Sequence, residues 1–361
     1  MDELVELGPL RPVGSAGRTG GDLQDRLDYQ EEKVSTSFGT VTVCVQGDRR
    51  RPAILTYHDL GLNANSCFQS FFQFSDMAKV AQRFCVYHVN APGQEDDAQP
   101  LPPNFVYPTM DDLAQTVLSV VEHFSIRSFI GFGVGLGANV LIRFALKHAK
   151  KVDTLILVNA GLSKAGWMEW GYQKVNVNYL RNRGGMTTFT TDYLMWYHFG
   201  RHQDHCNQDL VDSYSAYFAQ IQRPANLAAL FECYLNRTPV VIQRSGQTIE
   251  CPVLQIVGSY SPHINETVDL NSRLDPTKSE WMKVSDATGL VLEEQPAKAT
   301  EAIILFLQGY GHFPSMSHVR WAQNRSVSVQ LDSAPVGRPP LQHKRTSLTT
   351  IPDAQQLVTS T

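Results

Sequence analysis

Short apolar runs separated by helical stretches limit most sharply what this chain can fold into. Ala53-Ile-Leu-Thr-Tyr57, Phe84-Cys-Val-Tyr-His-Val89, Phe129-Ile130 and Thr154-Leu-Ile-Leu-Val158 have the length and unbroken hydrophobicity of strands covered on both faces. Between them Cys67–Val80, the stretch opened by Thr109, and Gly137–Ala149 read as helices. In the second of these Leu113, Val117, Val120, Val121 and Phe124 fall on one face, and Thr109 with Asp112 has the spacing of an N-cap pair. Strand, helix and strand repeated at this interval require crossover connections, and therefore a mainly parallel, doubly wound α/β sheet. Ahead of it, Val34–Val45 alternates as a strand hairpin turning at Gly39.

The rhythm is interrupted once. From Gly161 to about Ile249 the pattern is helical and aromatic, as in Trp167-Met-Glu-Trp170 and Tyr193-Leu-Met-Trp-Tyr-His-Phe199. That is too long for a loop in a compact domain, so a helical cap over about 162–249 is expected. Strands at Pro252–Val257 and Trp281–Val284 and a helix at Ala297–Gln308, with Ala299, Ile303, Phe306 and Leu307 inward, then resume the α/β pattern. The domain is expected to span 34–312. Residues 1–33 are polar and acidic with repeated glycine breaks, the composition of a loose arm. Residues 313–361 hold twelve Ser/Thr and five basic residues against two acidic ones, the composition of a disordered basic tail.

The formal net charge of −4 offers no general attraction to nucleic acid, so no nucleic-acid partner is expected. Six cysteines stand singly, without zinc or disulfide spacing, as in a reducing compartment. Residues Met1–Glu6 lack the basic and apolar parts of a secretory signal, and no apolar run approaches the roughly 20 residues of a membrane span. A cytoplasmic protein is the expectation.

Phe129-Ile-Gly-Phe-Gly-Val-Gly-Leu-Gly-Ala-Asn139 has the strand, tight turn and helix of a nucleophile elbow. With Gly133 and Gly137 as the flanking glycines of G-x-S-x-G, the nucleophile position falls on Gly135, which has no side chain to attack a carbonyl. A dinucleotide site fits the same glycines poorly. In that frame the third glycine is Leu136, and no ribose-binding acid follows about 20 residues on. In the α/β-hydrolase fold the acid follows a later strand and the histidine comes last. The acid position before Pro262 is Ser261, and counting back from Gln295-Pro296 puts Gly289 at the histidine. Nucleophile, acid and base would all be absent.

Thr56-Tyr-His-Asp-Leu-Gly-Leu-Asn63, His88-Val-Asn-Ala-Pro-Gly-Gln94, Gly166-Trp-Met-Glu-Trp170, Asp192-Tyr-Leu-Met-Trp196, Asn207-Gln-Asp-Leu-Val211 and Asn271-Ser-Arg-Leu-Asp-Pro-Thr277 extend this pattern. From about Val34 to Pro314 the chain resembles the N-myc downstream-regulated (NDR) family. The resemblance implies an α/β-hydrolase fold without hydrolytic activity, cytoplasmic residence, and roles in signalling, stress response, growth control and differentiation. It also implies protein partners, a link to membrane lipids in some members, and a phosphorylated tail. The decapeptide repeats of some members are not present here.

His58-Asp59, at the end of the third strand, could line the old cleft or anchor its own loop. His263 could work with Asp59 and a water, which keeps open a hydrolase with a non-standard site. A sensor that binds a lipid or other small molecule in the vacated cleft is the third reading. His202-Gln-Asp-His205-Cys206 fits no common zinc spacing and reads as a polar loop, so neither metal nor cofactor is expected. In the tail, Ser326 and Ser328 after Arg325, and Thr346 and Ser347 after Arg345, are candidate phosphorylation sites. Oligomeric state is not legible.

Overall fold

The computed structural model describes residues 29–312 except 165, 202, 204, 205 and 245, and excludes the side chains of 167–169, 172 and 183. Strands β1 (Gln30–Thr36), β2 (Gly39–Gln46), β3 (Ala53–Tyr57), β4 (Cys85–Val89), β5 (Phe129–Val134), β6 (Val152–Val158), β7 (Val253–Gly258) and β8 (Ser279–Val284) form one sheet. Its order is β1-β2-β4-β3-β5-β6-β7-β8. The hairpin β1/β2 is antiparallel and joins β4 antiparallel, and every pairing from β4 to β8 is parallel.

The body helices are α1 (Ala64–Gln73), α2 (Ser75–Ala81), α3 (Met110–His123) and α4 (Leu136–Lys147), then α9 (Ile264–Arg273), α10 (Val291–Glu294) and α11 (Pro296–Gly309). Alternation along β5 assigns them to faces. Phe132 packs its ring on Phe68, Phe71 and Phe72 of α1, whereas Phe129 meets Phe144 of α4. Gly131 and Gly133 share the α4 face, where a Cβ on Gly133 would lie 2.6 Å from the Ala138 Cα. Capping boxes start α1, through Asn63 and Ser66, and α3, through Thr109 and Asp112.

Between β6 and β7 rise the cap helices α5 (Trp167–Arg183), α6 (Thr188–Phe199), α7 (Gln208–Ala219) and α8 (Pro224–Leu235). Asn226 of α8 ties the cap to the body, accepting from Leu101 N and donating to the carbonyls of Gly93 and Gln99. Arg143 of α4 is buried and reaches Thr238 behind α8 while pairing with Asp111 of α3.

Two expectations need correction. Order does not wait for Val34, because β1 begins at Gln30 and pairs Gln30–Lys33 with Thr42–Val45. An edge strand with polar, largely exposed side chains carries no apolar signal, and its backbone partner alone defines it. The helix expected over Cys67–Val80 is two helices broken at Phe74, whose φ of −55° and ψ of 130° are extended. Phe124 is half-buried at the end of α3, where its ring meets Tyr87 and the Arg49 guanidinium. Most of the N-terminal arm and all of the tail beyond residue 312, including Ser326, Ser328, Thr346 and Ser347, lie outside the described residues.

Candidate functional site

The turn from β5 into α4 places Gly135 at the N-cap of α4 with φ 50° and ψ −109°. That left-handed, sharply turned conformation is the strained one that an elbow imposes. The chain ahead of Gly135 is locked to β6 by the Gly135 N–H donating to Val158 O at 2.9 Å. Gly137 lets α4 lie against β3: a Cβ there would fall 2.0 Å from the Tyr57 carbonyl oxygen.

The space in front of Gly135 is taken by Asp59. A Cβ on Gly135 would sit 2.1 Å from Asp59 Oδ1 and 2.2 Å from both Cγ and Oδ2. Oδ1 accepts from Leu60 N at 2.7 Å, from Leu136 N at 2.9 Å and from the Tyr197 hydroxyl at 3.0 Å. Leu136 is the first residue of α4, so its N–H belongs to the helix N-terminus, where a negative charge is favoured. Asp59 is thus a fully buried carboxylate with three donors and a helix end to hold it.

His58 is the loop anchor. Nδ1 donates to Asp59 O at 2.8 Å and Nε2 accepts from Ala91 N at 2.9 Å, a pattern that needs the neutral ring. Burial agrees, lowering its pKa to about 4. Both ring nitrogens are committed, so His58 does not line an open cleft.

The positions expected for acid and base meet nearby. Ser261 Oγ donates to Asn159 Oδ1 at 3.0 Å, and Asn159 Nδ2 donates to Gly289 O at 2.6 Å. Asn159, at the end of β6, holds φ 53° to make both contacts. A Cβ on Gly289 would be 2.2 Å from the His198 carbonyl oxygen, so cap helix α6 occupies the space where a base at that position would project. His198 Nε2 donates to Leu60 O at 2.9 Å, and its Nδ1 lies 3.9 Å from Asp59 Oδ2. Burial lowers the His198 pKa against the pull of Asp59. His263 sits edge-on to the Tyr197 ring, with Nε2 donating to Tyr197 O at 3.1 Å and Nδ1 3.9 Å from Glu266 Oε2. Burial works against its charge, but Glu266 and Asp59 outweigh it and raise the His263 pKa, while Glu266 is lowered in return.

Gly135, Ser261 and Gly289 are therefore brought to one region, and Asp59, Tyr197, His198 and His263 fill it. Tyr197, His198, Asn159 and Glu266 escaped the sequence reading. Tyr197 and His198 come from a cap helix lacking a clear apolar stripe, and Asn159 is marked by its backbone angle alone. A cavity of about 560 Å³ lies to one side, between the 93–98 loop and α7, with Gly61, Asn63, Asp96, Tyr217 and Arg223 in its walls. Gly135, Asp59, Ser261 and Gly289 are not among its lining residues. No group of three potential metal ligands occurs among the described residues, and His202, Asp204 and His205 lie outside them.

The sheet order, the elbow and the inserted cap define an α/β-hydrolase-fold protein. Among solved structures the chain is similar to a thermophilic esterase from Thermogutta terrifontis, at TM-score 0.65 and 17% identity over 78% of this chain and 99% of that one. It is also similar to an enol-lactonase from Burkholderia xenovorans, at TM-score 0.60 and 16% identity over 77% of this chain and 100% of that one. The family model described as the Ndr family matches residues 31–314, and the chain belongs to that family. Protein NDRG3 of Xenopus laevis is 38% identical over 91% of this chain and 88% of its own length. Protein NDRG1 of Xenopus tropicalis is 38% identical over 84% and 77%.

Proposed function

We infer that this protein is a non-enzymatic member of its family, an adaptor in signal transduction built on a hydrolase scaffold whose reaction centre is occupied by its own carboxylate. The observation that carries the reading is Asp59 over Gly135. In acyl-transfer enzymes of this fold, the N–H after the nucleophile and an N–H from the loop after the third strand hold the developing oxyanion. Here the corresponding donors, Leu136 N and Leu60 N, are already bonded to Asp59 Oδ1. An ester carbonyl entering the centre would have to displace a buried anion from both. Asp59 is also a poor candidate nucleophile, because its oxygen sits in the anion-binding position rather than facing it. Ser261 and Gly289 supply no acid and no imidazole base at the positions the fold reserves for them.

With the centre filled, the reading places function in surfaces. Cytoplasmic residence, protein partners, and a role in stress response, growth or differentiation follow from family membership as parts of this proposal. So does a basic tail switched by phosphorylation at Ser326, Ser328, Thr346 or Ser347. Among the described residues no helix is long and apolar enough to cross a membrane, so any lipid contact in this reading is peripheral.

The test is p-nitrophenyl ester turnover together with fluorophosphonate labelling of the full chain. The expected result is turnover no faster than buffer and no labelled protein. Saturable turnover abolished by His263→Ala or Asp59→Ala would overturn the non-enzymatic reading. The adaptor part is checked separately, by comparing partners captured by the wild-type chain with those captured by a variant carrying Ala at all four tail sites. Identical sets under kinase-activating conditions refute the switch.

A further inference from the structure

The cavity of about 560 Å³ beside the filled centre is walled by segments that leave the carboxyl ends of β3 and β4, the end at which parallel α/β sheets hold their ligands. The body contributes residues 61–63, after β3, and the 93–98 loop, after β4. The cap contributes Tyr217 of α7, the connection from α7 to α8, and Leu227 of α8. A space of this volume lies in the range of small-molecule sites.

The charge of the walls is one-sided. The 93–98 loop carries Glu95, Asp96 and Asp97, and Arg223 is the one cation among the described lining residues. Arg223 is spent on carbonyls: Nε donates to Ala98 O at 2.9 Å and Nη1 to Gln222 O at 3.2 Å. Asp96 accepts from Asn63 Nδ2 at 2.6 Å and from Asn65 Nδ2, neutral amides that orient the carboxylate and leave its charge in place. Among the described residues no Lys, Arg or His forms an ion pair with Glu95, Asp96 or Asp97. Like charges gathered in a cleft with low-dielectric walls focus a negative potential, which draws cations.

The shape of the cavity selects among cations. No three potential metal ligands converge among the described residues, so the carboxylates do not form a cage for a single ion. Beside them Leu62, Ile221 and Leu227 supply apolar surface. Tyr217 supplies its ring, since its hydroxyl is spent on Ser66 Oγ at 3.0 Å. Burial, with Asp96 adding to it, pushes that hydroxyl up, so Tyr217 stays neutral. A chain of methylenes bearing separated ammonium groups matches both kinds of surface: methylenes on the aliphatic side chains, ammonium groups on the carboxylates and the ring face.

We propose that this cavity is a binding site for a linear aliphatic polyamine, whose ammonium groups pair with Glu95, Asp96 and Asp97 while its methylenes lie against the cap. The inference stands independently of the adaptor reading, since it concerns a cavity that Gly135 and Asp59 do not line and a ligand that undergoes no reaction.

The experiment is calorimetric titration of the full chain with spermidine at about 0.15 M salt, with the double variant Glu95→Gln/Asp97→Asn alongside. Neither of these carboxyls makes a side-chain hydrogen bond among the described residues, and Asn tolerates the Asp97 φ of 57°, so the variant should unfold at the wild-type midpoint without ligand. Spermidine should bind the wild type saturably and the variant on the order of 10-fold more weakly, the loss expected for two partly exposed ion pairs. Hexylamine, with one ammonium group, should also bind the wild type on the order of 10-fold more weakly than spermidine. Equal affinity of the two proteins for spermidine overturns the proposal, as does absence of saturable binding, equal affinity for hexylamine, or displacement of spermidine by an equal concentration of magnesium at constant ionic strength. Should the variant fold poorly, amide hydrogen exchange of the wild type decides: spermidine should slow exchange in residues 93–98 and at the end of α7, and unchanged exchange there refutes the site.

Discussion

Gly135→Ser, the substitution that puts a serine at the elbow position, should destabilise this protein. The new Cβ would lie 2.1–2.2 Å from three atoms of the Asp59 carboxyl group, distances no contact tolerates, so the carboxylate must leave. Leaving forfeits three hydrogen bonds to a charged acceptor, from Leu60 N, Leu136 N and the Tyr197 hydroxyl. Bonds of that kind contribute about 1.5–3 kcal/mol each, and water or the new hydroxyl recovers part of the loss, leaving about 3–5 kcal/mol. Holding a side chain at φ 50° adds about 1 kcal/mol, for a total of about 4–6 kcal/mol, a large share of the stability of an ordinary domain. Asp59→Gly alone should cost about 2–4 kcal/mol, because it leaves three buried donors without an acceptor. Combined, the two changes no longer collide, so the double variant should be more stable than Gly135→Ser. Urea unfolding of all four proteins gives the coupling energy, expected at about 3 kcal/mol or more in favour of the pair. Additive effects, or a cost below about 1 kcal/mol for Gly135→Ser, would show that Asp59 does not stand over Gly135. On the proposed non-enzymatic reading, the double variant should show no esterase activity, since Ser261 and Gly289 would provide neither acid nor base.

Gly137→Ala should destabilise by about 3 kcal/mol or more, because its Cβ meets backbone, the Tyr57 carbonyl at 2.0 Å, and α4 must retreat from β3; a midpoint within error of wild type in thermal unfolding refutes this. Arg143→Met should cost about 3 kcal/mol by severing Asp111, Asn139 and Thr238 from one buried guanidinium, with faster proteolysis at the end of the cap; intact cap resistance would count against it. His263, raised chiefly by Glu266, should stabilise fully below its unfolded pKa of about 6.5 and lose that contribution as pH rises through its folded value. Glu266, lowered, should contribute above about pH 4.5 and lose it as pH falls through its folded value. Melting temperatures across pH 4–9 should therefore lose both limbs in His263→Gln, and an unchanged profile in that variant would refute the coupling.

How much of this was legible depends on the range of the forces involved. The βαβ rhythm was, because apolar runs such as Thr154–Val158 and the one-faced helix Leu113–Val121 are periodic in the chain itself. The Thr109/Asp112 cap was as well, since it spans a single turn. The split at Phe74 and the early start of β1 at Gln30 were not: one is a backbone turn with no Gly or Pro to mark it, and the other is fixed by pairing with β2.

By itself the sequence determined the fold class and marked Gly135 as the candidate elbow position, because both rest on local pattern: alternating runs, and glycines spaced around a strand-to-helix turn. It also placed Asp59 at the end of the third strand, as a candidate in the old cleft. What fills the centre was decided by tertiary structure alone. Only the β4-β3-β5 order sets the loop after β3 beside the turn after β5, bringing Asp59 to Leu136 across a separation of 77 residues. The folding back of α6 supplies Tyr197 from 138 residues away. A carboxylate becomes an internal anion only when donors converge on it in space, and no spacing along the chain encodes that convergence.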